Sequence, residues 1–349
     1  MAYTTINKSN LHMKVNLHSG TGSARNITGI GFQPDFTIVK RRDNTGVWYN
    51  TDIVRGAGKQ MYLNETGGMG SSVSTHEITG FNSDGFNLGT DAGVNASGGT
   101  YASYNFLSNN TTGSSNTDGN ITSTVSVNTT AGFSIVKYTG NSGGSGYSAT
   151  IGHGLGVAPK FMIVKCLSHS SSDWSVYYGD ATDLLKLNES SATADDNLRW
   201  YDTAPSNSVF TVGTNSDVNN VGRDYIAYCF AEKTGYSKIS SYTGNGSTDG
   251  PFIYTGFKPA FVLIKRTDSG DHWNIPVFTS EENGTVNTVS PNLSTAERTM
   301  NDNPAIDYYS NGFNVKTVDA NYNYNGGNYI YLAIGQSLVG SNNVPCTAR

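Results

Sequence analysis

One twelve-residue phrase is written three times in this chain, and no other feature narrows its fold as much. GFKPAFVLIKRT (256–267) recurs as GFQPDFTIVKRR (31–42) and LGVAPKFMIVKC (155–166). Aligned on Pro34, Pro159 and Pro259, the copies stand 125 and then 100 residues apart, and Lys40, Lys165 and Lys265 keep those intervals. Other landmarks follow each copy in one order. A tryptophan comes first: Trp48, Trp174 and Trp273. An Asn-containing apolar patch is next: YLN (62–64), LKLN (185–188) and the looser VSPNLS (289–294). Then come a Phe-led strand (GFNLG, VFTVG, GFNVK) and a closing aromatic strand (TYASYNFL, DYIAYCFAE, NYIYLAIG). This recurrence reads as three homologous units, each of about 100 residues, the size of a small domain. The units span 1–120, 121–234 and 235–349. The longer first interval falls at 108–118, SNNTTGSSNTD, a polar, turn-rich insertion expected to form an exposed loop.

Within a unit, short apolar runs alternate with Gly, Asn, Asp and Ser clusters, the pattern of antiparallel β-sandwiches. The expected fold is therefore all-β: three sandwich-like units in tandem with very little helix. The best helical candidates are short, 181–187 and 293–300. Composition agrees. Charged residues make up 14% of the chain, well below the usual quarter or so, and Gly (41), Asn, Ser, Thr and Tyr (21) take their place. Such residues suit strands and tight turns. In the repeated phrase, Phe261 and Leu263 point one way and Val262 and Ile264 the other, so the strand is expected to be buried on both faces. Proline is tolerated at a strand's first residue because no ladder donor is needed there. The lysine that follows is expected to mark the exit into solvent. On this reading the phrase is a core strand with its turn.

Signals for chemistry are sparse. A formal charge of −5 provides no basic field for phosphates, so a nucleic-acid partner is not expected. No apolar stretch reaches the roughly 18–20 residues of a membrane helix, so membrane insertion is not expected either. The start of the chain, MAYTTINKSN, has no apolar signal region. Cys166, Cys229 and Cys346 lack metal-ligand spacing and read as reduced thiols. None of the six histidines has metal-binding spacing, and His153, in GHGLG, reads as an exposed turn residue. NSGGSG (141–146) lacks the spacing of a phosphate loop. Asp43 and Asp268 are placed to cap turns or to pair with Arg41, Arg42 or Arg266. No catalytic residue, metal site or cofactor is assigned, and the chain is not expected to be an enzyme. The tryptophans allow two readings. Each is a core plug, or Trp48, Trp174 and Trp273 are glycan-contact aromatics set among Asn and Asp.

The series GFxPxFxxxKR, W, LN, GFxVG and YIAYxFAE resembles repeats in virion proteins of marine and cyanobacterial tailed phages, described as structural or tail-fibre-like with a domain of unknown function. The resemblance runs from about 12 to 335 and is most specific in DYIAYCFAEKTGYSKISSYTGNGS (224–247). The first unit departs from it, with TYASYNFL in place of YIAYxFAE. The resemblance implies a virion structural role and no catalytic residues. With it, the expected setting is the particle surface after assembly in the host cytoplasm, the expected partners are other virion proteins and a homo-oligomer with a trimer favoured, and a host-surface glycan is a candidate ligand. A tail fibre or spike-like appendage is the expected role. The alternatives are a head (capsid) decoration protein, a carbohydrate-binding module and a polysaccharide-degrading spike, whose paired carboxylates sequence spacing would not reveal.

Overall fold

The computed structural model describes residues 4–70, 73–142, 147–277, 287–298 and 305–338. Antiparallel strands dominate, and the α-helices among the described residues are three single turns: Ala92–Asn95, Asn197–Trp200 and Ala320–Asn323. Each copy of the repeated phrase lies in its own large sheet. The first sheet runs in the order Met13–Ser19, Thr100–Phe106, Phe36–Arg41, Trp48–Asp52, Met61–Tyr62. The second has eight strands, with Phe133–Thr139, Asp224–Phe230, Phe161–Cys166, Trp174–Tyr177 and Asp183–Lys186 in the matching order. The third joins Ser237–Thr243, Asn328–Gly335 and Pro259–Arg266. In all three the phrase strand pairs with the closing aromatic strand, in registers Phe36↔Phe106, Phe161↔Phe230 and Phe261↔Ile334.

Strand alternation then decides the layering. One face of each large sheet packs on a small outer sheet and encloses a local core. Val39 and Tyr101 meet Ile27 and Phe86; Val164 and Tyr225 meet Ile151 and Phe210; Val262 and Tyr329 meet Ile253 and Phe313. The other faces turn toward one another and share a single core. Phe36, Tyr104 and Phe106 meet Phe161, Tyr228 and Phe230, together with Phe261, Leu263 and Leu332. The Phe36 ring stacks on Tyr228 at 4.0 Å, and Phe106 lies 5.8 Å from Phe230 and 6.3 Å from Phe261. The expected two-sided burial of the phrase strand is found: Phe261 and Leu263 face the shared core, Val262 and Ile264 the local one. Each buried aromatic removes about 150–250 Å² from water, so this shared layer binds the three sheets into one body.

Three local expectations are corrected. Residues 183–186 form a strand, not a helix, pairing Val176↔Leu185 so that Leu185 and Leu187 reach the shared core. Pairing and burial there outweigh the helical propensity of leucine. Residues 293–298 are irregular apart from a bridge between Arg298 and Thr288, and 299 and 300 lie outside the described residues. The insertion at 108–118 is exposed, but it carries a strand, Ser114–Asn116, that extends the second sheet through Val125↔Ser114. The buried Asp35 anchors its start. One carboxylate oxygen accepts from Ser108 N, Ser108 Oγ and Asn110 N, each at 2.8 Å. Asp35→Ala leaves these donors unpaired at an expected cost of about 1–3 kcal/mol. Amide exchange should rise in 108–118 alone; protection unchanged there would remove Asp35 as the anchor.

Candidate functional site

The recurring Trp, Lys and Asn side chains come together where the three sheets meet. Trp48 and Trp174 begin the strand after the phrase strand, Trp273 stands two residues ahead of the strand Ile275–Pro276, and the backbone N–H of each donates to the Asn of its own patch. The bonds are Trp48 to Asn64 (2.9 Å), Trp174 to Asn188 (2.8 Å) and Trp273 to Asn292 (3.2 Å). Each indole N–H then donates to the patch of a different copy. Trp174 Nε1 bonds the carbonyls of Tyr62 and Glu65, both at 3.1 Å. Trp273 Nε1 bonds Lys186 O at 2.8 Å. Trp48 Nε1 bonds Ser290 O and Leu293 O, both at 3.0 Å. The second copy thus holds the first, the third holds the second, and the first holds the third, so the indole bonds close a ring within one chain.

The lysines brace the same corners. Lys40 Nζ donates to Gly46 O (2.7 Å) and across to Ser294 O (3.1 Å). Lys165 Nζ donates to Ser172 O and across to Thr66 O (2.8 Å). Lys265 Nζ bonds the carbonyls of its own turn, Arg266 and Ser269. The expected exit into solvent is therefore wrong for Lys40, Lys165 and Lys265, which are all fully buried. At the first two corners a patch from another copy folds over the strand end and supplies carbonyls. Likewise Trp48, Trp174 and Trp273 are 0%, 0% and 1% exposed, so they present no ring face to a sugar and are not glycan contacts. Pro259 opens its strand as expected, whereas Pro34 and Pro159 stand two residues ahead of theirs, in the turn. Arg42 and Glu297 add an ion pair between the first and third copies.

A second recurring device escaped the sequence reading. Asp91, Asn215 and Asp319 each start a helical turn, and the residue four positions on is a buried asparagine: Asn95, Asn219 or Asn323. Asn95 Oδ1 accepts from Thr21 N (2.9 Å), Asn219 Oδ1 from Asn141 N (2.9 Å), and Asn323 Oδ1 from Asn245 N (2.8 Å). Each Asn thereby pins the loop after the strand that flanks the closing aromatic strand on the side away from the phrase strand. The signal was present as a D/N-x-x-x-N spacing just ahead of each aromatic strand. The fourth tryptophan, Trp200, fills the second local core.

The chemistry of these groups is structural. Leu155 N donates to His153 Nδ1 at 3.1 Å, so the proton sits on Nε2, which donates to Ser206 O at 3.1 Å. His153 is fully buried, not exposed as expected, and burial lowers its pKa. Asp43 pairs with Arg41 at 3.1 Å and Asp268 with Arg266 at 2.8 Å; the Arg41 bond holds Asp43 at about 2. Cys166 and Cys229 are free and buried, opposite Tyr225 and Met162, too far apart along their strands to bridge. Cys346, and 143–146 of the Gly-rich string, lie outside the described residues. Among the described residues no group of three or more His, Cys, Asp or Glu is arranged to hold a metal. No helix among them is long and apolar enough to cross a membrane. The shared core encloses a cavity of about 40 Å³, lined by residues such as Phe36, Trp48, Phe161, Trp174 and Phe261, with no carboxylate among them.

The buried lysines give the fold an unusual pH dependence. Burial lowers Lys40, Lys165 and Lys265 to about 8 from an ordinary 10.5. Between those values the unfolded chain holds more protons than the folded one, so stability rises with pH. Buried tyrosines act in the opposite sense. Tyr331, for example, is raised to about 12, so the unfolded chain ionises first and stability falls above pH ~9. The melting temperature should climb from about pH 8 to about 9 and then drop, because the buried tyrosines outnumber the lysines and Cys229, raised to about 12, acts with them. A curve that is flat or falling from about pH 8 to 9 would show that the ammonium groups are not destabilised by burial.

The family described as "Domain of unknown function (DUF7483)" matches residues 8–337. No curated protein and no solved structure matches the chain.

Proposed function

We propose, from the premise that the chain belongs to the DUF7483 domain-of-unknown-function family, that it is a non-enzymatic structural protein of a phage particle surface, in a tail-fibre or spike-like appendage. The observation that carries this reading is the ring of indole bonds. The groups that recur in all three copies are spent on internal structure: the Trp and Lys side chains are buried, and Trp, Lys and Asn all bond backbone, the indoles across copies. An enzyme places recurring polar groups so that they converge on a substrate. The resemblance in sequence to virion repeats supports the particle setting. A homotrimer was expected, but ring closure within one chain supports a single copy at each attachment point, because the threefold arrangement is already supplied.

Cryo-electron microscopy of the intact particle tests the reading. Density for this chain at the tail, one copy per attachment point, is the expected result. Density on the capsid lattice with copies tied to capsomer symmetry would make it a head decoration protein, and absence from purified particles would overturn the structural role.

A further inference from the structure

We infer that the outer sheet of the third copy carries a binding platform for a neutral carbohydrate chain, built from Phe252, Tyr254 and Tyr309 with Asp307 and Asn314. This sheet joins Phe252–Tyr254, Gly312–Val315 and Ile306–Tyr309. Its inner face is Ile253, Phe313, Ile306 and Tyr308, all in the local core. Register sets the outward face in two rows: Tyr254–Gly312–Tyr309 and Phe252–Asn314–Asp307. The three aromatics are 47%, 63% and 38% exposed in that sheet, Phe252, Tyr254 and Tyr309 respectively. Phe252 meets Tyr309 edge to face at 5.8 Å. Gly312 leaves room for this: a Cβ there would stand 2.9 Å from Phe252 Cζ and 2.1 Å from Ile253 O. Two tyrosines thus flank a glycine position beside a fixed phenylalanine ring.

The matching positions in the other two copies are not aromatic. Register on Phe86 and Phe210 aligns Phe252 with Asn26 and Thr150, and Tyr254 with Thr28 and Gly152. Packing of the unit therefore does not require aromatics here. A second observation points to the ligand class. Asp307 Oδ1 and Asn314 Oδ1, adjacent in the second row, have no hydrogen-bond partner among the described residues. Both residues stay partly open on the outer face, so a side-chain rotation brings these acceptors to a ligand, and unpaired acceptors call for donors. A polyhydroxyl ligand supplies them while its apolar ring faces lie on aromatic side chains. Charge narrows the class further. Asp249, whose side chain is 92% exposed, and Asp307 make the neighbourhood acidic, and Lys316 is paired to Asp249 at 3.7 Å. Neutral sugars suit this field, and sulfated or sialylated ones are repelled. Three aromatics also fall short of the roughly 800 Å² that a stable protein partner covers.

The platform deepens the proposed role, on which it rests only for its biological setting. The full chain is applied to an array of neutral and acidic oligosaccharides, and the best-retained neutral hexasaccharide is then titrated by calorimetry against a heparin hexasaccharide. Saturable binding of the neutral sugar is expected, weakened about tenfold or more by Tyr254→Ala or Tyr309→Ala at an unchanged melting temperature, since loss of a stacking aromatic removes affinity without opening a core. Phe252→Trp should retain binding. Retention of no neutral glycan, preference for heparin, or wild-type affinity in both tyrosine variants overturns the platform. A particle location that holds while binding fails removes the ligand and leaves the structural role standing.

Discussion

Trp174→Ala is expected to destabilise the whole chain by about 3–5 kcal/mol, the usual cost of emptying a buried tryptophan site. A domain of ordinary stability has only about 5–15 kcal/mol in total, so the variant should melt far below the wild type. Two effects add. The Trp174 ring is fully buried in the shared core, and its loss leaves a hole among residues from all three sheets. The carbonyls of Tyr62 and Glu65 also lose their donor, which loosens the corner between first and second copies. Trp174→Phe limits the first term: it keeps an aromatic ring, removes the donor and leaves a smaller hole, at an expected cost of about 1–3 kcal/mol. Trp200→Ala is the control, because that ring is equally buried but lies in a local core, with no hydrogen-bond partner for Nε1 among the described residues. Limited proteolysis should release separate segments from the Trp174 variant and not from the Trp200 variant. Equal cleavage patterns would show that the indole ring does not hold the copies together.

Arg55→Met should cost a similar amount, about 3–5 kcal/mol, by leaving a buried charge without its partner. The Arg55 and Asp52 side chains are both fully buried and paired. Arg55 also donates to Lys59 O (2.9 Å), Asn50 Oδ1 (2.8 Å) and the Tyr228 hydroxyl (3.1 Å), and that hydroxyl donates to Asp52 Oδ2 at 2.8 Å. The cluster ties the second copy's aromatic strand to the first copy's sheet. Its pair is worth little against an apolar substitute, so Asp52→Leu/Arg55→Met should be less destabilised than Arg55→Met alone. Urea unfolding of the two single variants and the double variant gives the coupling. A double variant destabilised by the sum of the two single costs, or by more, would mean that the two charges do not act as a pair.

Much of the fold follows from local pattern. The alternation of Phe261 and Leu263 against Val262 and Ile264 declared a strand buried on both sides, because side chains in a strand change face at every residue. The arginine–aspartate pairs after the phrase were also legible, since two residues of separation in a tight turn bring Arg41 to Asp43 and Arg266 to Asp268. The lysines misled because their acceptors are distant in sequence: Ser294 for Lys40 and Thr66 for Lys165. The candidate glycan contacts failed for the same reason. A tryptophan among polar residues reads alike whether a sugar or another part of the chain covers it. Phe252, Tyr254 and Tyr309 went unremarked because their significance lies in sharing one open face, which register alone reveals.

The sequence by itself determined the all-β character, the two-sided burial of the phrase and the recurrence of its landmarks, because these depend on residue alternation and short-range turn chemistry. Only the tertiary structure decided that the second faces of the three sheets meet in one core and that the indole bonds close in a ring. That closure joins Trp48 to Ser290 and Trp273 to Lys186, residues 242 and 87 positions apart. Contacts at such separations are set by how whole sheets exclude water from one another, and no local pattern encodes them.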